Sequence, residues 1–182
     1  MKIVMINAAT LPVYRNELAE LLLNTVTRDA VEGERQRFSQ TQAEHYFHRL
    51  QAEVAKGARK LWIARDHLGV IGSVQLDICL KPEGRNRAEV QQLLVHDRAR
   101  RQGTGKKLIA ALEQEAMNLQ RSLLYLDTPA GSAAEAFYRA QGYRCLGELP
   151  DFSCTSEGYS HSAVIYYKRL FTVNQVSRAI AS

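Results

Sequence analysis

Cysteine is scarce in this chain: three in 182 residues, at Cys79, Cys145 and Cys154. The count is odd and the spacing fits no zinc pattern, so reduced, partly buried thiols are expected. Long apolar runs are missing too, and no stretch approaches the ~20 residues that span a bilayer. The opening, MKIVMINAATLPVYRNEL, carries one Lys and a short apolar run broken by Asn7. It lacks the long apolar core of a secretory signal, so a cytoplasmic location is expected. No internal repeat and no linker interrupts the chain. His45 and His48 lie three apart on one predicted helix, but no third ligand is near in sequence, so no metal is expected.

What remains is an ordinary globular composition, 46% hydrophobic and 24% charged, with a formal net charge of +5. It predicts a single domain over residues 1–182, with a core of about 2–170 and a tail over 171–182. The positive charge points to an anionic partner. The basic residues form no long run with aromatics between them, which argues against nucleic acid.

Periodicity orders the elements. KIVMI (2–6) reads as a strand, and Thr10 caps a helix with Pro12 in its first turn. A charged segment containing Gly33 follows, then a helix from Gln42 to Lys56 with Ala43, Phe47, Leu50 and Val54 on one face, stopped by Gly57. KLWIARD and VIGSVQLDICL form a hairpin around HLG, and AEVQQLLVH (88–96) is the next strand. Leu108, Leu112, Ala116 and Leu119 mark a helix over 104–119. LLYLDT (123–128) alternates too little to face water and reads as a central strand. Ser132 and Glu135 read as a capping box opening a short helix that Gly142 closes. YRCLGEL and SAVIYYKRL are the last strands, separated by a polar loop over 150–161. The class is mixed α/β.

RRQGTGKKL (100–108) stands where a strand gives way to a helix. A helix start offers unpartnered N–H groups and about half a positive charge. Glycines at 103 and 105 let the chain curl and a ligand approach, Thr104 adds a hydroxyl, and the cations raise the potential. Such a turn suits phosphate. It matches neither the Walker loop nor the dinucleotide fingerprint, whose third glycine is Leu108 here.

VQQLLVHDRARRQGTGKKLIAALEQEA, with Arg100-x-x-Gly103-x-Gly105, resembles the acyl-CoA-binding motif of the GNAT N-acetyltransferase superfamily. AAEAFYRAQGY resembles the family's downstream segment, in the right order and at about the right distance. LLYLDTPAGSAAEAFYRAQGY followed by GELP is similar to the tabtoxin-resistance type within it. The resemblance implies a mixed, mostly antiparallel sheet splayed between its fourth and fifth strands, with helices on both faces. It implies direct acetyl transfer from acetyl-CoA to an amine, with no metal. The expected partners are acetyl-CoA and a small-molecule amine, amino-acid-like or an antibiotic, with neither nucleic acid nor membrane; a homodimer is allowed.

On that basis the pyrophosphate would sit on the N–H groups of Arg101, Gln102, Gly103, Thr104, Gly105 and Lys106, with Arg100 opening the motif. The pantetheine arm would pair with the backbone of Leu93 and Val95, and the Leu93 or Leu94 N–H would stabilise the oxyanion. A bulge would produce the splay. Tyr138 would protonate the departing thiolate. The general base stays open between Glu89, Asp127 and a water relay; Glu89 reads equally as a salt bridge to Arg87, and Asp127 as a turn cap. Gly131 stands where the family often has a pantetheine-binding Asn, and Ser132 offers a hydroxyl there. His161, and Arg35, Arg37 and Phe38 in the first interhelical loop, are candidate acceptor-site residues. Rival readings are acetylation of a protein lysine or N-terminus and an acyl-CoA-binding regulator without turnover.

Overall fold

The computed structural model describes residues 1–29, 39–154 and 158–172. Seven strands, β1 (Lys2–Ile6), β2 (Arg59–Asp66), β3 (Gly69–Ile78), β4 (Arg87–Val95), β5 (Leu123–Pro129), β6 (Arg144–Cys154) and β7 (Ser160–Arg169), form one sheet in the order β1-β2-β3-β4-β5-β7-β6. Every neighbouring pair is antiparallel except β4 with β5, which is parallel. Four helices, α1 (Leu11–Asp29), α2 (Gln40–Ala55), α3 (Thr104–Asn118) and α4 (Ala133–Ala140), cover it.

Each face of the sheet has its own core. Leu11, Leu18 and Leu21 of α1 and Ala43, Phe47 and Leu50 of α2 pack on Leu61 and Ile63 of β2. Leu108, Ile109 and Leu112 of α3 and Tyr138 of α4 pack on Val90, Leu124 and Leu126 across the other face. Burying each such side chain is worth roughly 1.5–3 kcal/mol, so the two cores dominate the fold's stability. The side chains Phe47, Leu50 and Val54 thus belong to the interior, as their spacing implies. No helix among the described residues is long and apolar enough to cross a membrane.

Local chemistry moved several boundaries. Thr10 precedes α1, but Asn7 is the anchor: its Oδ1 accepts the Ala9 and Thr10 N–H groups at 3.0 and 2.9 Å. Helix α2 begins two residues earlier than expected because Ser39 and Gln42 form a reciprocal capping box. The capping box expected at Ser132 is absent. Glu135 reaches past it to the Gly131 N–H at 2.7 Å, and the Ser132 hydroxyl lies 3.3 Å from that of Thr128. The loop expected over 150–161 is mostly strand, since β6 runs on to Cys154 and β7 starts at Ser160.

β5 is an inner strand, as expected, between β4 and β7, but it does alternate. Leu124, Leu126 and Thr128 are buried toward α3 and α4, whereas Tyr125 is half-buried and Asp127 and Pro129 are exposed. The reason is coverage: α1 and α2 pack on β2, β3 and β4. Cys79 and Cys145 are free thiols, and Cys145 and Cys154 are exposed rather than partly buried.

Candidate active site

β4 and β5 pair through three residues, Arg87 with Leu123, Ala88 with Leu124 and Glu89 with Tyr125, and then part. The cause lies in β4. Opposite β3, Leu94 faces Ser73 and Gln91 faces Gln75, so β4 spends one residue more than its partner. Gln92 carries the excess, exposed and at a left-handed φ of 50°. Such a bulge bends a strand and raises its twist. It also resets the alternation: Val90, Leu93 and Val95 all face the α3 side, while Leu94 packs against the α1–α2 side.

The register decides which amides line the opening. The His96 N–H donates to the Ile71 carbonyl at 2.9 Å, so by alternation the Leu94 N–H turns to β3 and the backbones of Leu93 and Val95 turn toward the gap. The Val95 carbonyl accepts from the Arg100 Nε at 3.3 Å, and Arg100 also pairs with Asp97. Its side chain is therefore folded back on the end of β4.

At the mouth of the gap, the α3 N-terminus stands open. Gly103 caps it with φ of 78°, a conformation costing an L-residue roughly 1–2 kcal/mol, and no protein atom lies within 4 Å of where a Cβ would stand. Arg101 is also left-handed, at φ of 60°. The first intrahelical donor is the Lys107 N–H, to the Gly103 carbonyl at 3.0 Å. Among the described residues, the N–H groups of Arg101 to Lys106 find no backbone acceptor. Thr104 differs from expectation: it is 2% exposed and its hydroxyl donates to the Ala99 carbonyl at 3.1 Å, which leaves only its N–H for a ligand. Gln102 turns its amide to the Arg98 carbonyl. Gly105 has a packing reason as well, since a Cβ there would sit 3.2 Å from the Phe137 ring of α4.

Tyr138 is 6% exposed, edge-on to Phe137 and Tyr143. Burial, and next the Asp127 carboxylate, push its phenol well above the ordinary range, so it stays protonated at neutral pH. Helix α4 is clamped from below: the Arg139 Nε donates to the Tyr166 hydroxyl, which donates to Glu135, both at 2.8 Å.

Glu89 occupies the apex of the V, the last residue of β4 to pair with β5. Its carboxyl is pushed up, chiefly by burial and further by Asp127 and Asp77, while a hydrogen bond from Gln91 and the charge of Arg59 pull it down. No ion pair joins Glu89 to Arg87 among the described residues, and Gln91 lies two residues on along the same face of β4. Asp127 is exposed on β5, opposite Ile165 of β7. The structure therefore brings Glu89, Leu93, Val95, Asp127 and Tyr138 around one opening, with residues 101–106 at its mouth. Ser132 is half-buried on the turn before α4.

Other candidates fall elsewhere. His45 and His48 are exposed on α2, and His161 is exposed on the β6–β7 hairpin opposite Ser153. No cluster of three His, Cys, Asp or Glu side chains that would hold a metal occurs among the described residues. Arg35, Arg37, Phe38 and most of the 171–182 tail lie outside the described residues. Sequence reasoning missed Gln92, whose place in the bulge leaves no compositional mark. It also missed Arg59, Gln75 and Gln91; the one available signal was a glutamine inside the apolar run of β3, fully buried at Gln75.

Comparison with known proteins places this geometry. Residues 15–153 match the model of the acetyltransferase (GNAT) domain. The fold resembles that of a ribosomal-protein-alanine N-acetyltransferase from Brucella melitensis, with a TM-score of 0.72 and 21% identity over 93% of this chain and 99% of that one. An aminoglycoside 6'-acetyltransferase type Ii is similar at a TM-score of 0.72 and 20% identity, over 96% of this chain and 100% of that one. An acetyltransferase from Salmonella typhimurium, solved with its cofactor acetyl-CoA, gives 0.72 at 14% identity over 98% and 99% of the two chains. With the family model spanning most of its length, the chain belongs to the GNAT acetyltransferases.

Proposed function

We propose that this protein acts as one N-acetyltransferase domain that moves the acetyl group of acetyl-CoA to a primary amine of a small molecule. The observation that carries the reading is the parted β4–β5 pair, opened by the Gln92 bulge directly beside an α3 N-terminus whose amides are bare. The residues present fit the cosubstrate. Arg101, Lys106 and the N–H groups of 101–106 would hold the diphosphate, and the gap-facing backbones of Leu93 and Val95 would hold the pantetheine arm. When bound, acetyl-CoA supplies an activated acetyl thioester.

The chain's own residues then divide the work. The Leu93 N–H, which faces the gap, is the better oxyanion donor than Leu94; one well-placed donor of this kind is worth ~3 kcal/mol. Glu89 takes a proton from the acceptor ammonium, whose own pKa is near ~10. A carboxyl raised by burial is a stronger base than an ordinary one and suits this task. Tyr138, kept protonated, donates to the leaving sulfur. Asp127 attracts the cationic acceptor and helps keep the phenol protonated.

Glu89 and Asp127 put carboxylates on the α1–α2 side of the opening, beside the Arg59-paired Asp77, which suits a cationic amine. Among the similar proteins one is named for an aminoglycoside and another for a ribosomal-protein alanine. The exposed Asp127 and Pro129 favour, as a second reading, a peptide N-terminus lying along β5. Release of CoA thiol from acetyl-CoA, followed over a panel of aminoglycosides, amino-acid amines and an alanine-initiated peptide, tests both. Turnover with a small amine supports the first reading, and turnover with the peptide alone supports the second. Acetyl-CoA binding without turnover on any amine would make the protein a regulator instead.

A further inference from the structure

The residues that share one row across the sheet are all polar: Arg59 of β2 faces Asp77 of β3, Asp77 faces Glu89 of β4, and Glu89 faces Tyr125 of β5. In the next row Gln75 faces Gln91. Rows in register point to the same face of a sheet. This ladder therefore leads from β2 to Glu89 at the apex of the V, two strands away.

Arg59 organises it. Its side chain is 12% exposed, and its Nη2 lies 3.0 Å from the Asp77 carboxylate. Its Nη1 donates both to the Gln91 Oε1, in a short contact, and to the Gln75 Oε1 at 3.4 Å. Guanidinium is donor-only, so both amides must turn their oxygens to it. Their NH2 groups are then aimed outward by elimination. Gln75 donates its Nε2 to the Tyr46 hydroxyl of α2 at 3.1 Å. Gln91 stands two residues from Glu89 on the same face of β4, so its NH2 is the end left to turn toward that carboxylate, and Gln91 is the residue immediately before the bulge.

We propose that Arg59 is a positioning residue for the reaction centre: clamped between Asp77 and two glutamines, it fixes which end of Gln91 meets Glu89 and locks β4 just ahead of the bulge. Arg59 does not touch the gap. It acts through Gln91, and the inference rests on Glu89 being the base of the proposed reaction. The groups that face Glu89 are Arg59, Asp77, Gln91, Asp127 and Tyr125. Asp77 and Asp127 oppose its ionisation, whereas Arg59 and Gln91 favour it. Without Arg59 the Asp77 charge is left unpaired and Gln91 is free to turn its oxygen toward Glu89, so all changes push the carboxyl the same way, upward.

The test is the titration of the Glu89 side-chain carboxyl carbon, followed by NMR in the full chain. Arg59→Met should raise its midpoint by roughly one pH unit for loss of a neighbouring opposite charge, and Gln91→Met should raise it by removing a hydrogen-bond donor to the ionised form. Arg59→Lys keeps the charge but cannot hold two amides and a carboxylate at once, so its midpoint should also rise, by less. An unchanged midpoint in Gln91→Met, or a wild-type midpoint in Arg59→Lys, overturns the clamp. If Arg59→Met does not fold, the other two variants carry the same decision. Glu89→Gln in the amine panel separates the two ideas: undiminished turnover removes Glu89 as the base and the positioning role with it, whereas lost turnover with an unmoved midpoint removes only the role of Arg59.

Discussion

Two side chains at the opening hold their protons more tightly than they would in bulk water. Tyr138 keeps its phenolic proton because burial and the Asp127 carboxylate both disfavour the phenolate. Tyr138→Phe should lower turnover roughly 100-fold, the lower end of what a positioned acid contributes, while acetyl-CoA affinity by calorimetry stays within about twofold. Equal turnover in the two proteins would take the acid role from Tyr138. Glu89 is shifted in the same direction. Its carboxyl is raised, so the folded state prefers it protonated. The favourable contribution is therefore complete below the ordinary carboxyl pKa and is lost as pH rises through the raised value. At pH 7 the ionised group destabilises the fold, so Glu89→Gln should melt at or above the wild-type temperature at pH 7 while turnover falls. In the wild type, turnover should decline as pH drops through the raised value. A melting temperature at pH 7 clearly below wild type would contradict the assigned environment of Glu89.

At the scale of elements, α3, α4 and β4 set the site by packing and register. Gly105 lets α3 lie close to the Phe137 ring, and Phe137 neighbours Tyr138 on α4. Gly105→Val should push the two helices apart, destabilising by about 1–3 kcal/mol as overpacking does, and should lower turnover by displacing Tyr138. A Val variant with wild-type melting and turnover would mean that the contact is slack. Much of this was readable beforehand. The basic turn, Gly103 and Gly105 carry a motif, and the leucines of α3 repeat at helical spacing, so the helix and its open start were plain. The splay was legible only through family resemblance, because its immediate cause is a backbone angle at Gln92 that glutamine's chemistry does not announce. Ser132 misled for a related reason: the Ser-x-x-Glu spacing is right, but Glu135 is drawn to Gly131 and Tyr166 instead. Thr104 misled because a hydroxyl at a helix start serves whichever acceptor is nearest, here Ala99. The ladder from Arg59 to Glu89 depends on strand register, which no single segment encodes.

Across the whole molecule, charge is sorted by position. Of the cations near the α3 start, Arg98 is engaged by Asp66 and Arg100 by Asp97, whereas Arg101, Lys106 and Lys107 are exposed and make no ion pair among the described residues. The acidic groups Asp77, Glu89 and Asp127 gather on the α1–α2 face. An anionic donor and a cationic acceptor would thus be drawn to different sides of one gap and meet where β4 leaves β5. Backbone amide NMR of the chain titrated with acetyl-CoA tests this most directly. The largest shifts are predicted at Leu93, Val95 and residues 101–106, with Leu94 moving less because its N–H is engaged by β3. Saturable binding that leaves those amides still and shifts residues away from the β4–β5 gap would contradict it.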